Sequence, residues 1–334
     1  MDDLNQNPKL GSADRPNSYI GRSVPRERAR KLLEGKGTYV DDVLLPRMVH
    51  LNYVRSPFAH AIIKSINTEK AKNHPGVYEV FTIKDIEKVC TPWQGVLGHL
   101  GEMRSPNQFP LAKDIVRWQG EPVVAVVAKN RAVAEDASEL VEIDYEEINA
   151  QLDMETALNK NASVIHDELG NNLFWTRTVN QGEVDKAFRS AFKVEEVSLE
   201  FARHTGVTLE SRSIIADWNT SEEKMIIYHN GQAPHMMQHI IAKHFNVSEG
   251  LVRVISCDVG GSFGIKVHVY PDEIATIAIS KIMERPVKFV ADRLESYSTD
   301  IHSRCHKITG KIGVDQNGII TAFEIDDLSG IGPF

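Results

Sequence analysis

The chain has 334 residues, 42% of them hydrophobic and 25% charged, with a formal net charge of -8. A chain of this length holds about two domains of ordinary size. The acidic balance excludes nucleic acid and anionic membrane as principal partners, since both need clustered Lys and Arg. No apolar run approaches a membrane span, and Met1 to Asn17 lacks the apolar stretch of a signal peptide, so residues 1–18 read as a disordered arm. Cys90, Cys257 and Cys305 are odd in number, far apart and form no CxxC. That excludes a disulfide framework and an iron–sulfur ligand set, and leaves three thiols buried as small hydrophobes in a reducing cytoplasm.

Along the chain, Met48 to Arg55 and His60 to Ile66 are apolar-rich and are separated by a turn at Ser56 to Phe58. The continuous apolar run Val123 to Ala128 predicts a buried strand. Asn130 is placed to cap the next helix, in which Ala134, Ala137, Leu140 and Val141 recur at helical spacing, and Glu142 to Tyr145 returns to alternation. This makes an α+β unit ending near Glu147. Asn, Gly and Asp scattered through the following stretch mark residues 148–180 as a connector.

The second unit starts with Val194 to Phe201, a strand of alternating character, and continues with Met225 to Tyr228. Pro234 opens a helix through Phe245. Met237, Ile240, Ile241 and His244 share one of its faces, while Met236, His239 and Lys243 point to solvent. A β-branched strand, Val252 to Ser256, runs straight into the glycine-rich segment Gly260 to Lys266. Helical periodicity follows over Glu273 to Met283, then a strand over Val287 to Ala291. His306 to Val314 and Ile319 to Leu328 flank Asp315-Gln316-Asn317-Gly318, which predicts a hairpin. The ending at Gly330 to Phe334 has no closing helix or polar tail and reads as interrupted.

The loop Gly260 to Lys266 has the strand, glycine turn and helix order by which backbone N–H groups approach an anion, with a plain tight turn as the alternative. It is not a P-loop, because Ile265 precedes Lys266 and Val267 follows it, and the spacing of Gly260, Gly261 and Gly264 is not GxGxxG. A nucleotide-binding enzyme therefore has little support. Gln232, between a strand and a helix start, either presents its amide to a ligand oxygen or is an exposed loop residue. His235 and His239 stand four apart without an HExxH, a weak zinc signal. Glu210 reads as a general base or, more in keeping with a buried carboxylate, as one half of an ion pair with Arg212 or another arginine.

Taken in order, these segments resemble the large subunits of molybdenum hydroxylases of the xanthine dehydrogenase/aldehyde oxidase/carbon monoxide dehydrogenase type. The likeness is carried by Tyr19 to Arg26, Gly35 to Asp42, Val54 to Ala61, Gly120 to Ala128, Arg203 to Arg212, Gln232 to His235, Gly260 to Lys266, Arg285 to Lys288 and Asp292 to Glu295. It departs from the family at Ser262 and Ile265, where glycine is common, and at Thr208 and Ser211, where proline is frequent. The resemblance implies an α+β fold: an α/β-hammerhead domain over residues 19–147, then part of a first molybdopterin-binding domain over residues 181–334. It implies a molybdopterin cofactor, in the molybdenum cytosine dinucleotide form of bacterial enzymes, with the metal held through the pterin and not by the protein.

In the family the glutamine matching Gln232 hydrogen-bonds an oxo ligand of molybdenum, and the residue matching Phe263 lies beside the metal. These two are the expected catalytic residues. With Gly260, Gly261, Ser262 and Gly264 they form the expected cofactor contacts. The implied reaction is hydroxylation of an aldehyde, an N-heterocycle or carbon monoxide with water as oxygen source. Electrons would pass through 2Fe-2S clusters to FAD on an iron–sulfur subunit and a FAD subunit. The family's catalytic glutamate falls beyond this sequence. That leads to the expectations that the chain is one part of a truncated or split subunit, that it is inactive alone, and that apolar faces near Ile319 to Phe334 lie exposed. The competing reading is a non-catalytic cofactor-binding or assembly module that docks a separate C-terminal half.

Overall fold

Strands and helices are interspersed along the chain in a computed structural model that describes Ser23, Arg26 and residues 29–334 other than 96, 98 and 99. The expected arm over residues 1–18, and the block Tyr19 to Arg26 apart from Ser23 and Arg26, lie outside the described residues. Two units are present, one running to Thr38 and one from Tyr39 to Phe334. The first contains the short helix α1 (Ala29–Leu33). In the second, the strands are β1 (Val49–Arg55), β2 (Ala61–Asn67), β3 (Val77–Phe81), β4 (Ile115–Val116), β5 (Pro122–Ala128), β6 (Glu142–Glu147) and β7 (Lys193–Phe201). They continue with β8 (Ser213–Asn219), β9 (Lys224–His229), β10 (Val252–Ser256), β11 (Val287–Val290), β12 (His306–Val314) and β13 (Ile320–Ser329). The helices are α2 (Glu69–Lys72), α3 (Ile83–Ile86), α4 (Arg131–Ser138), α5 (Val184–Ser190), α6 (Pro234–His244), α7 (Pro271–Met283) and α8 (Arg293–Thr299).

Strand β5 explains the centre of the fold. Ala125 and Val127 face one apolar cluster, with Leu51, Ile214, Phe289 and Ile277, while Val124 and Val126 face another, with Ala61, Val116 and Ala137. A strand covered on both faces needs no polar positions, which is why its sequence is a continuous apolar run instead of an alternation. It lies in a seven-stranded sheet of order β10-β9-β8-β11-β1-β5-β3. Leu51 of β1 pairs antiparallel with Val127, and Val49 pairs parallel with Val287 of β11. Strands from both sides of the 148–180 stretch thus share one sheet. The turn after β1 does not close a hairpin: β2 leaves for a small sheet of order β4-β2-β6.

Helix α7 is buried at ten successive positions from Pro271 to Ser280, the pattern of a helix enclosed on all sides. Asn130 caps α4 by accepting the Val133 N–H at 2.9 Å, as its position predicts. That helix ends at Ser138, so Leu140 and Val141 lie beyond it. The His306–Val314 and Ile319–Leu328 hairpin forms as expected, with Ile308 opposite Asp327 and Ile312 opposite Phe323. With β7 it makes a third sheet of order β13-β12-β7.

One face of this third sheet carries Val197, Leu199 and Phe201 of β7, and Phe323 and Ile325 of β13, which register across β12 places side by side. These five side chains are all exposed, Phe323 at 58% and Val197 at 52%. Of the cysteines, only Cys90 is buried, where burial pushes its thiol up to about 12. Cys257 and Cys305 are half-buried, which corrects the expectation of three buried thiols.

Candidate functional site

Two parallel strands bring the sequence-predicted residues together. Strands β9 and β10 are parallel neighbours, with Met225 opposite Val252 and His229 opposite Ser256, so both chains leave the sheet side by side at the same end. The turn carrying Gln232 follows β9, and the loop Gly260 to Gly264 follows β10. Strand β8 runs antiparallel to β9 with Ile214 opposite His229, so the segment 208–212 before it arrives at that end too. Ligand sites in open sheets with helices on their faces form where strand ends leave such a crevice.

Backbone and side-chain bonds join the three segments. The Gln232 N–H donates to the Lys266 carbonyl at 3.0 Å, and the Gln232 side chain is exposed. Beneath that turn, a Cβ at Gly231 would run into the His229 ring, which is buried and bonded through Nε2 to Glu273 at 3.0 Å. The Gly260 N–H donates to Glu210 Oε2 at 2.7 Å, and the Glu210 N–H donates back to the Gly260 carbonyl at 3.2 Å. Only glycine fits at 260, where a Cβ would lie 2.5 Å from the Glu210 Cβ.

Sequence reasoning expected Glu210 to pair with Arg212 or another arginine. Its partner is instead Lys266, whose Nζ donates to Oε2 at 2.9 Å. Arg212 is unavailable because carboxylates surround it: Asp300 accepts from Nε at 2.6 Å, and Asp272 accepts from Nη1 at 2.7 Å and Nη2 at 3.0 Å. Glu273 stands at 3.3 Å, and the Tyr270 ring lies 3.7 Å from the guanidinium carbon. Arg55 reaches into the same network, to Asp272 at 3.0 Å and Glu295 at 2.8 Å. Burial works to raise the Asp272 carboxyl, but Arg212 and Arg55 outweigh it and hold it at about 2. For Asp300 burial wins and its carboxyl lies above the usual range despite Arg212. Sequence reasoning missed this network. Its legible signal was the pair Asp272-Glu273 at the start of an otherwise apolar helix, because charges so enclosed require partners.

The loop after β10 is built to offer donors. Among the described residues, none accepts a hydrogen bond from the N–H of Gly261, Ser262, Phe263 or Gly264. Gly261 has φ +101°, Phe263 +48° and Gly264 +94°, a left-handed-rich path of the kind that turns successive N–H groups toward one side. A non-glycine residue such as Phe263 in that region stores strain, of order 1–3 kcal/mol, which marks functional segments. Phe263 is 77% exposed, and Leu209, on the segment before β8, is 94% exposed.

The donors come from the loop itself and not from a helix end, correcting the expected order of strand, glycine turn and helix. Residues Ile265–Val267 form a single 3-10 turn, and α7 begins only at Pro271. The histidines go elsewhere: His239 bonds Glu249 at 2.7 Å and His244 bonds Thr91 at 2.9 Å. No group of three or more His, Cys, Asp or Glu among the described residues is placed to hold a metal ion.

Comparison with known proteins adds to this geometry. Residues 165–334 match the family model for a molybdopterin cofactor-binding domain, and residues 34–149 match that for the aldehyde oxidase and xanthine dehydrogenase a/b hammerhead domain. The nicotine 6-hydroxylase large subunit of Paenarthrobacter nicotinovorans is 34% identical over 316 residues, covering 94% of this chain and 38% of its own length. The carbon monoxide dehydrogenase large chain of Hydrogenophaga pseudoflava is 30% identical over 326 residues, covering 94% of this chain and 40% of its own. Among solved structures, quinoline 2-oxidoreductase from Pseudomonas putida 86 has a TM-score of 0.88 at 30% identity, covering 92% of this chain and 39% of that one. The chain therefore spans roughly two fifths of the length of the proteins it matches.

Proposed function

The chain belongs to the aldehyde oxidase and xanthine dehydrogenase family of molybdopterin-binding large subunits, and from that premise we propose that it is the N-terminal portion of such a subunit in a molybdenum hydroxylase. Residues 19–147 are then the hammerhead domain, 148–180 its connector and 181–334 the incomplete first cofactor domain. The substrate class is an aldehyde, an N-heterocycle or carbon monoxide, with water supplying the oxygen. The cofactor is molybdopterin in its cytosine dinucleotide form, and the partners are an iron–sulfur subunit, a FAD subunit and a C-terminal half. No helix among the described residues is long and apolar enough to cross a membrane, and we place the complex in the cytoplasm.

One observation carries this reading: four successive N–H groups, from Gly261 to Gly264, have no acceptor among the described residues, in a loop joined to the Gln232 turn by the bond from the Gln232 N–H to the Lys266 carbonyl. The residues fit an oxygen-rich anionic group, since the glycines let the backbone approach. When bound, the molybdenum cofactor supplies the redox centre that takes up two electrons from substrate. Gln232 orients it by donating a neutral amide hydrogen bond that adds no charge. The loop donors stabilise negative charge at fixed positions, with no reorganisation needed during reaction.

The exposed apolar face of the third sheet favours a second reading, a non-catalytic module that docks a separate polypeptide. Elemental analysis of the chain purified from its own organism, with whatever co-purifies, separates the two. Near-stoichiometric molybdenum with iron, flavin and a second large polypeptide is expected. A docked polypeptide without molybdenum would support the module instead.

A further inference from the structure

We propose that Glu210 and Lys266 are positioning residues that clamp the Gln232 turn and the Gly260–Gly264 loop into one surface. Lys266 is the junction. Its carbonyl accepts the Gln232 N–H at 3.0 Å, and its ammonium, on a residue only 3% exposed, donates to Glu210 at 2.9 Å. The same Glu210 oxygen holds the Gly260 N–H at 2.7 Å. A single residue pair therefore spans the connections after β9 and β10, which the sheet itself no longer joins beyond His229 and Ser256.

The packing makes the clamp tight. Glu210 fills the space a Cβ at Gly260 would need, and a Cβ at Gly231 would stand 3.2 Å from the Lys266 carbonyl. Thr208 fixes the carboxylate's own backbone by donating to the Glu210 carbonyl at 2.6 Å. Burial lowers the tendency of the Lys266 amine to hold its proton, and the hydrogen bond to Glu210 opposes that. The second carboxylate oxygen, Oε1, is buried with no hydrogen-bond partner among the described residues, so the geometry at Glu210 is set by the loop contacts and not by a saturated network. This differs from Arg212, whose many carboxylates hold the sheet and α7 together but touch neither loop backbone.

The inference rests on reading this surface as the cofactor face, yet its test does not depend on cofactor. Amide hydrogen exchange is followed by mass spectrometry in the full chain for the wild type, Glu210→Gln, Lys266→Met and the double variant. Peptides covering 229–235 and 258–267 are compared with peptides from β1 and β5. Loss of the clamp should speed exchange in both loop peptides together, roughly 10- to 100-fold, with β1 and β5 unchanged. The double variant removes both charges and should regain melting temperature relative to Lys266→Met. A clamp predicts that its loops nevertheless stay fast, whereas a merely structural ion pair predicts that they slow again.

Unchanged exchange, a change confined to one loop, or recovery of both loops in the double variant would overturn the proposal. If Lys266→Met does not fold, Glu210→Gln carries the same decision. Molybdenum content, measured in parallel on the complexes, separates the two claims. Wild-type complex without molybdenum removes the cofactor reading while exchange still decides the clamp. Variants with wild-type molybdenum and wild-type exchange remove the clamp and leave the cofactor reading standing.

Discussion

Strand β5 and the β7–β12–β13 sheet are both rich in valine, isoleucine and other apolar residues, yet one is sealed and the other is open. Every residue of β5 is buried, whereas every residue of β7 is exposed. The difference lies in what covers them. Two apolar clusters enclose β5, but α5 lies over only one face of the third sheet, where Phe188 and Ala191 pack against Gly313. Apolar pattern alone therefore specifies that a strand has something to bury, not that this chain supplies the cover. In the sealed region the remaining polar groups must find partners inside, which is why the charge network around Arg212 sits there. The open region has no such demand.

The strongest way to break the sealed region is Arg212→Met. It leaves Asp272, Asp300 and Glu273 without their shared cation and should cost about 3–5 kcal/mol, read as a fall in urea midpoint at pH 7. The pH dependence gives a sharper check. In the wild type the Asp272 carboxyl is depressed, so its contribution is fully present above the usual carboxylate value and is lost as pH falls through about 2. In the variant the buried carboxylates lose their cation and take up protons more readily. The deficit should then shrink between pH 7 and pH 3. An equal deficit at both would show that the loss is one of packing, not of charge.

Glu121, at the entrance to β5, tests the same region with the opposite sign. Burial pushes its carboxyl up to about 7, against the Arg117 N–H that donates to it at 2.6 Å. The folded state thus holds this proton more tightly than the unfolded chain. Stability falls as pH rises from the unfolded value near 4.5 to about 7, and the cost is constant above that. Glu121→Gln keeps an acceptor for Arg117 and should gain on the order of 2 kcal/mol at pH 8, after allowance for screening, with no gain at pH 4. A pH-independent change would refute the assignment.

These contrasts also explain what was legible in the sequence. The strand at Val123 to Ala128, the Asn130 cap and the hairpin at Asp315 to Gly318 were readable because local chemistry decides them: continuous apolarity, an Asn oxygen within reach of an N–H, and a turn that needs positive φ at Gly318. The clustering of Gln232 with Gly260 to Gly264 was implied only by resemblance, since it depends on β9 and β10 being parallel neighbours, a long-range pairing with no local signature. The partner of Glu210 was missed for the same reason. Proximity in sequence favoured Arg212 two residues away, but the sheet turned Arg212 toward α7 and the loop returned Lys266 to Glu210. The helix boundary at Ser138 was overrun because Leu140 and Val141 continue the spacing after the backbone has left the helix.

The smallest expected effect on stability is also the one that separates the two regions most directly. Phe323 lies on the open face, 58% exposed and opposite Ile312. Replacing it with threonine puts a β-branched residue of good strand propensity in its place and removes a ring that this chain hardly buries. Phe323→Thr should leave the urea midpoint within the equivalent of about 0.5 kcal/mol. Contiguous exposed apolar side chains drive association, so the wild-type chain should sediment as a concentration-dependent mixture and the variant should shift toward monomer. A variant that loses several kcal/mol would mean the face is covered within the chain. An unchanged, monodisperse wild type would mean that the patch does not need a partner, and the openness of the third sheet would then reflect strand chemistry alone.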